Sequence, residues 1–374
     1  ITESPLVPRT KLRKVERKLI PVVEKLSTEE LMETNTYLRF NRSIEAIFDN
    51  TEDLDLNMEQ DDDADVPPEA LIPKYQLQEL CSEAAKLKTL CAMESVPSDR
   101  LVSLLNILEK NIRDGTRVSP IADPDDDEDE SKLWLELTME RVMRAADASV
   151  TSLYIMTSPN MPKKIYLEDV IDRIVVFTKY QLQNTIYPSF DPVYRTDSKA
   201  KDIFIGNARK KRAHVKEVRE KSILTLYNKL HELVGLLAEL LNIQVLTDNA
   251  VLHASSMGVA PFFVENVNEL QLSALKLVTT IFTKYEKHRR LLLDDILASI
   301  ARLPSTKRSL RTYRLNSEEY IQMLTALVLQ LIQCVVYLPD RLQLETKENT
   351  KEEVEEIEKK DNTVNVNDGF IFHL

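Results

Sequence analysis

Apolar positions recur along this chain with helical spacing. The clearest run is Asn268 to Leu338. Leu270, Ala274, Leu277, Val278, Ile281, Phe282 and Tyr285 share one face of a 3.6-residue period, which predicts a long helix. Asn268 with Gln271 has the spacing of a capping box. A second helix follows through Leu293, Ile296, Leu297 and Ile300, and Pro304 stops it. A third is expected to open at Asn316, with Glu319 three residues on, and to be apolar almost all round. Its stretch from Ile321 to Leu338 contains Gln322, Thr325, Gln330 and Gln333. Those amides would each need a partner in hydrocarbon, so a fully buried inner helix is expected rather than a membrane span.

The same reading extends upstream. Residues 1–8 look like an entry linker, and Arg9 to Leu26 is a basic amphipathic stretch divided by Pro21. Ser27 and Glu30 have the capping-box spacing, and the helix continues from Leu31 to Phe48. Tyr75–Met93 carries Leu77, Leu80, Ala84, Leu87 and Cys91 on one face. The next helix starts at Pro97-Ser98 and ends at Asp114-Gly115. Leu133–Met156 follows, with Trp134, Leu137, Val142, Ala145, Ala148 and Leu153 as its candidate core. Then come Leu167–Ile186, a Leu-lined helix from about Val215 to Leu246, and a short piece from Ala250 to Gly258. Met257 to Pro261 reads as a turn. Helices joined by Pro-containing turns predict an all-α chain, an α-solenoid of HEAT-type helical pairs, although no clean period repeats.

Composition supports this. Five glycines and 6% aromatics are few for a strand-rich fold. The first residue is Ile, so a piece of a longer protein is expected. Charge then divides the chain. Asp49–Asp65, Asp123–Glu130 and Glu345–Asp361 carry −9, −7 and −4 against a total of −12, which leaves +8 on the rest. The expected organisation is an N-terminal helical segment (1–48), an acidic loop (49–68), a helical region (69–339) and a polar tail (340–374). An acidic insertion (120–131) and a basic irregular loop (191–214) interrupt the helical region. Acidic blocks of this kind keep a protein soluble, or compete with nucleic acid for a basic body.

Little points to catalysis. No Gly-rich phosphate loop and no HExxH occurs. His214, His231, His253, His288 and His373 lie far apart, so neither a metal nor a cofactor is expected. Asp294-Asp295 and Glu168-Asp169 are neighbours that point apart on a helix. Cys81, Cys91 and Cys334 are too scattered for a disulfide framework, and the first two read as small core residues. The basic clusters carry more. Lys284, Lys287, Arg289 and Arg290 end one helix, and Lys307, Arg308, Arg311 and Arg314 fill a later connector. If they meet on one edge, they would neutralise phosphates without reading sequence. Alternatively they complement helix C-termini or pair with acids of the next repeat. Arg209–Arg212 reads as a solvated loop or as a nuclear-targeting or nucleic-acid patch.

Several strings resemble the Nipped-B-like (delangin) family of cohesin loaders, in the N-terminal part of its HEAT-repeat region. They are TSPNMPKKIYLEDVIDRIV, NTIYPSFDPVYR, SSMGVAPFFVENVNELQL, FTKYEKHRR, ARLPSTKRSLRTYRLNS and YIQMLTALVLQLIQCVV, and the likeness runs from about Glu69 to Pro339. The resemblance implies a nuclear, chromatin-bound scaffold without a catalytic site. It implies partners in cohesin (its SMC subunits and kleisin) and sequence-independent double-stranded DNA. It implies stimulation of the SMC ATPase and loading of cohesin for sister-chromatid cohesion, loop formation, transcription regulation and repair. A TPR-type partner would bind a region this chain lacks, and the ending NVNDGFIFHL departs from the family. The other reading is a HEAT-repeat adaptor between proteins, without DNA binding.

Overall fold

The computed structural model describes residues 27–51, 66–120, 128–191, 194, 209–301, 312–314 and 319–336. The entry linker, the basic stretch 9–26, most of both acidic segments, Pro304 and the tail lie outside them, as does most of the 191–214 loop.

Helices α1 (Thr28–Glu33) and α2 (Asn35–Thr51) open the described chain. The expected capping box is present. The Ser27 amide donates to Glu30 at 2.8 Å, and Ser27 Oγ accepts from the Glu30 amide at 3.3 Å. The helix does not run on from Leu31, because Thr34 turns extended and separates the two. Next come α3 (Lys74–Thr89), α4 (Ser98–Gly115), α5 (Glu128–Met156) and α6 (Glu168–Gln181). The last passes through a π-turn, Leu182–Ile186, into the short α7 (Tyr187–Phe190). Then follow α8 (Arg209–Ile243), α9 (Asp248–Val259), α10 (Asn268–Lys284), α11 (Arg289–Ala301) and α12 (Met323–Gln333).

The helices form two layers. α3, α5, α8, α10 and α12 pack in that order in one, and α4, α6, α9 and α11 in the other. Helices within a layer run parallel. Asp147 and Tyr154 of α5 meet Lys229 and Glu232 of α8, and Asp99 and Glu109 of α4 meet Lys164, just before α6, and Arg173 within it. Turns within a pair therefore lie along one edge of the array, and connections between pairs along the other. This is the solenoid the spacing predicts.

The apolar stripe of α10 is buried throughout, from Leu270 to Phe282, and Tyr285 closes it. Two glycines let layers approach. A Cβ on Gly115 would stand 2.6 Å from Ala145 Cβ and 2.9 Å from Arg141 O, and one on Gly258 would stand 2.8 Å from Val278 Cγ2. Gly258 is thus a helical packing residue rather than part of the expected turn, since α9 runs on to Val259.

Other expectations need correction. Asn268 does not cap α10; the N-cap is Val267, and Gln271 is buried and donates to the Pro261 and Val264 carbonyls at 3.0 and 3.4 Å. Those carbonyls close the preceding turn, so Gln271 satisfies them instead of α10's own start. Helix α5 begins at Glu128, and Trp134 and Leu137 are exposed, while Val142, Ala145, Ala148 and Leu153 are core. On α11 the buried residues are Leu292 and Ile296; Leu293, Leu297 and Ile300 face outward, because α11 meets α9 along the other stripe. Cys91 is exposed with φ of 53° and ends α3 as the left-handed residue of a Schellman turn, its own amide donating to the Lys88 carbonyl and that of Ala92 to the Leu87 carbonyl.

The third helix differs most. Thr312–Arg314 (β1) and Tyr320–Gln322 (β2) pair antiparallel, Arg314 opposite Tyr320, and α12 starts only at Met323. Asn316 lies outside the described residues. This small ladder is the one departure from all-α among the described residues. Nor is α12 fully buried. It covers Met323, Ala326, Leu327 and Leu331 against its neighbours but exposes Val328, Leu329 and Ile332, being last in its layer among the described helices. No described helix is long and apolar enough to cross a membrane.

Candidate partner-binding surfaces

The first basic set surrounds the turn from α10 to α11, where three of its four cations are engaged locally. Lys284 donates to the Asn242 carbonyl at the end of α8. Arg289 Nε donates to Phe282 O at 2.7 Å, its Nη2 donates to Thr283 O at 3.3 Å, and its guanidinium lies over the Phe282 ring at 5.5 Å. It therefore satisfies the last carbonyls of α10, where a cation also meets the negative end of the helix. Lys287 Nζ meets Asp248 Oδ1 at 2.5 Å, and His288 Nε2 lies 3.2 Å from the same oxygen. These two bonds hold the Asp248 carboxyl below its usual range. Arg290 is exposed.

The second set starts at the far end of α11. Lys307, Arg308 and Arg311 lie outside the described residues, and Arg314 is in β1, which leads toward α12. α10 and α11 run in opposite directions around a short turn. The first set thus sits at one end of α11, about 20 Å long for its thirteen residues, and the chain toward Arg314 leaves from the other end.

The face of the α3–α5–α8–α10 layer carries many charges that cancel. Lys88 Nζ meets Glu239 Oε2 at 2.5 Å and Thr157 Oγ1 at 2.7 Å, and Lys276 reaches the other Glu239 oxygen at 3.4 Å. Burial alone would raise the Glu239 pKa, yet the two lysines outweigh it and hold it low. Tyr154 donates to Glu232, and Lys229 pairs with Asp147. For Asp147 burial dominates and its pKa is raised despite the lysine. Cys81, packed beside this pair, is pushed up to about 11 by burial, so its thiol stays protonated and inert. These bridges tie the pairs together; none of them was legible from the sequence, because each joins residues far apart in the chain.

On the other layer, Lys179 Nζ and His253 Nδ1 lie 3.0 Å apart, and burial, then Lys179, lowers the His253 pKa. Among the described residues no cluster of three or more His, Cys, Asp or Glu side chains is placed to hold a metal ion. Arg209 to Arg212, expected in a loop, form the first turn of α8.

No protein-family model matches the chain. It is 53% identical to the human Nipped-B-like protein over 322 residues, 84% of this chain and 11% of that protein. It is 51% identical to the zebrafish Nipped-B-like protein A over 338 residues, 88% of this chain and 14% of that protein. The Drosophila Nipped-B protein is 36% identical over 339 residues, 89% of this chain and 16% of that protein. Among solved structures, the C-terminal fragment of the Chaetomium thermophilum cohesin loader SCC2 matches with a TM-score of 0.64 and 19% identity. That match covers 89% of this chain and 26% of the fragment and is a likeness of fold. The chain spans about a tenth of the length of the curated relatives it matches. With more than half of the aligned residues identical over most of its length, and with the same helical-pair architecture, this chain belongs to the Nipped-B-like family as one stretch of its helical-repeat region.

Proposed function

We propose that this chain is part of a cohesin loader: a non-catalytic nuclear scaffold that holds chromatin DNA and cohesin together so that the SMC ATPase engages and cohesin is loaded. The supporting observation is its identity of more than half to Nipped-B-like proteins over most of its length. The roles in sister-chromatid cohesion, loop formation, transcription regulation and repair come with that reading. So do contacts with SMC subunits and kleisin, and a TPR-type partner binding elsewhere in the longer protein. In this reading Lys307, Arg308, Arg311 and Arg314 supply phosphate contacts. Arg290 is the member of the first set best placed to add one, while Lys284, Lys287 and Arg289 hold the α10–α11 turn.

A titration against a labelled duplex tests the DNA half. Four phosphate contacts give a slope of log affinity on log salt of about −3.6, so roughly a hundredfold is lost between 50 and 200 mM salt. Reversing Lys307, Arg308, Arg311 and Arg314 together should flatten that slope. Unchanged affinity at low salt removes them from the interface. The engagement of three cations of the first set favours a second reading, an adaptor between proteins. No duplex binding at low salt, with cohesin binding retained, would establish it.

A further inference from the structure

A small cavity opens where α6 begins beside the turn from α8 into α9. Its volume is about 30 Å3, and Glu168, Ile171, Asp172, Val245, Leu246 and Thr247 are among its lining residues. Ile171 and Leu246 are buried, whereas Val245 is 79% exposed. Asp172 accepts from Thr247 Oγ1 at 3.5 Å, its one hydrogen bond among the described residues, and Glu168 is exposed with no described partner. Two carboxylates over an apolar floor call for a cation with an aliphatic stem. A water-sized group needs about 10–15 Å3, so about two or three heavy atoms fit. That is the ammonium end of a lysine, and too little for the flat guanidinium of an arginine.

The seam between α6 and α9, which run parallel, continues from this cavity. Asp172, Val176 and Lys179 fall at i, i+4 and i+7 on α6, and Leu252 and His253 come alongside from α9. Val176 and Leu252 are 37% and 38% exposed. At the far end Lys179 Nζ and His253 Nδ1 lie 3.0 Å apart, and among the described residues no carboxylate bonds to either. Seven residues of helix put this basic end about 10 Å from Asp172. The seam therefore runs from acid through apolar to base.

We propose that this seam docks an amphipathic helix of a partner protein. The incoming helix seats a lysine in the cavity, an apolar side chain on Val176 and Leu252, and a carboxylate on Lys179 and His253. Those three side chains fall at i, i+3 or i+4, and i+7, the anchor spacing of a helix laid in a groove. The helix dipole sets the direction: the carboxylate belongs near the partner's N-terminus and the lysine near its C-terminus. The partner thus runs antiparallel to α6. The inference goes beyond the cohesin-loader reading and stands or falls without it.

Selection from a display library of random helical peptides of about fifteen residues, on the full chain, tests this. Enriched peptides should carry an acid, an apolar residue and a lysine in that order at the stated spacing. They should bind the V176D/L252D variant about tenfold or more weakly, since it sets charges where the apolar anchor sits. The exchanged variant E168K/D172K/K179E should select the reverse charge order. Every substituted side chain is at least partly exposed, and circular dichroism melting checks that each variant folds. Enrichment only of peptides that bind V176D/L252D equally well overturns the proposal. So does an unchanged charge order from the exchanged variant. If no peptide is enriched and K179E instead weakens binding of a labelled duplex, the basic end is a phosphate contact and the helix proposal fails.

Discussion

Replacing Gly115 by Ala separates backbone propensity from packing. Gly115 ends α4 with no positive φ, so an alanine there is conformationally permitted and would by propensity alone gain up to about 1 kcal/mol. Packing opposes this. The new Cβ would meet Ala145 Cβ at 2.6 Å and the Arg141 carbonyl oxygen at 2.9 Å, and neither atom is the end of a flexible side chain. The helices must part, and overpacking of this kind costs about 1–3 kcal/mol. Parting them also strains the Arg141 bonds to Asp114, at 2.8–3.1 Å. The net expectation is a loss of about 1–2 kcal/mol. Gly235 is the internal control. It lies inside α8, and a Cβ there meets only Ser273 Oγ at 3.6 Å. Gly235→Ala should therefore stabilise by about 0.5–1 kcal/mol. Urea midpoints, followed by far-ultraviolet circular dichroism and by the single Trp134, compare the two variants. If both alanines raise the midpoint, the close approach of α4 and α5 is wrong.

Cys91→Gly should raise stability by up to about 1 kcal/mol by relieving a left-handed non-glycine residue, less the entropy it returns to the unfolded chain; a lower thermal midpoint refutes this. Arg289→Ala should cost about 1–2 kcal/mol because it uncaps α10, and Arg289→Lys should not rescue it, since a single ammonium lacks the planar fork; rescue by lysine in a melting assay argues against the cap. His253 has a folded pKa below 6.5, from burial and Lys179 against a weaker opposing pull from Asp172. The unfolded chain then takes up the proton first, so stability should fall as pH drops from above 6.5 through the lowered value, and His253→Gln should flatten that slope. A ring-proton titration midpoint at or above 6.5 contradicts it.

The sequence by itself determined the helical class, most helix spans and the core stripes of α3 and α10, because burying one face of a helix imposes a local 3.6-residue period. It also placed the Ser27 capping box, a purely local signal. The basic clusters were legible as composition, and family membership as strings of identical residues. Position was another matter. Which stripe of α11 is buried depends on what α9 offers it, and described burial along α5 begins only at Thr138, which leaves Trp134 exposed. Likewise, the parallel packing of α5 on α8 brings Lys229 to Asp147 and Glu232 to Tyr154, partners that no local pattern announces. Local periodicity says which face wants burial. Only the order and direction of the stacked helices decide which charges meet, since those contacts join residues about forty to one hundred and fifty positions apart.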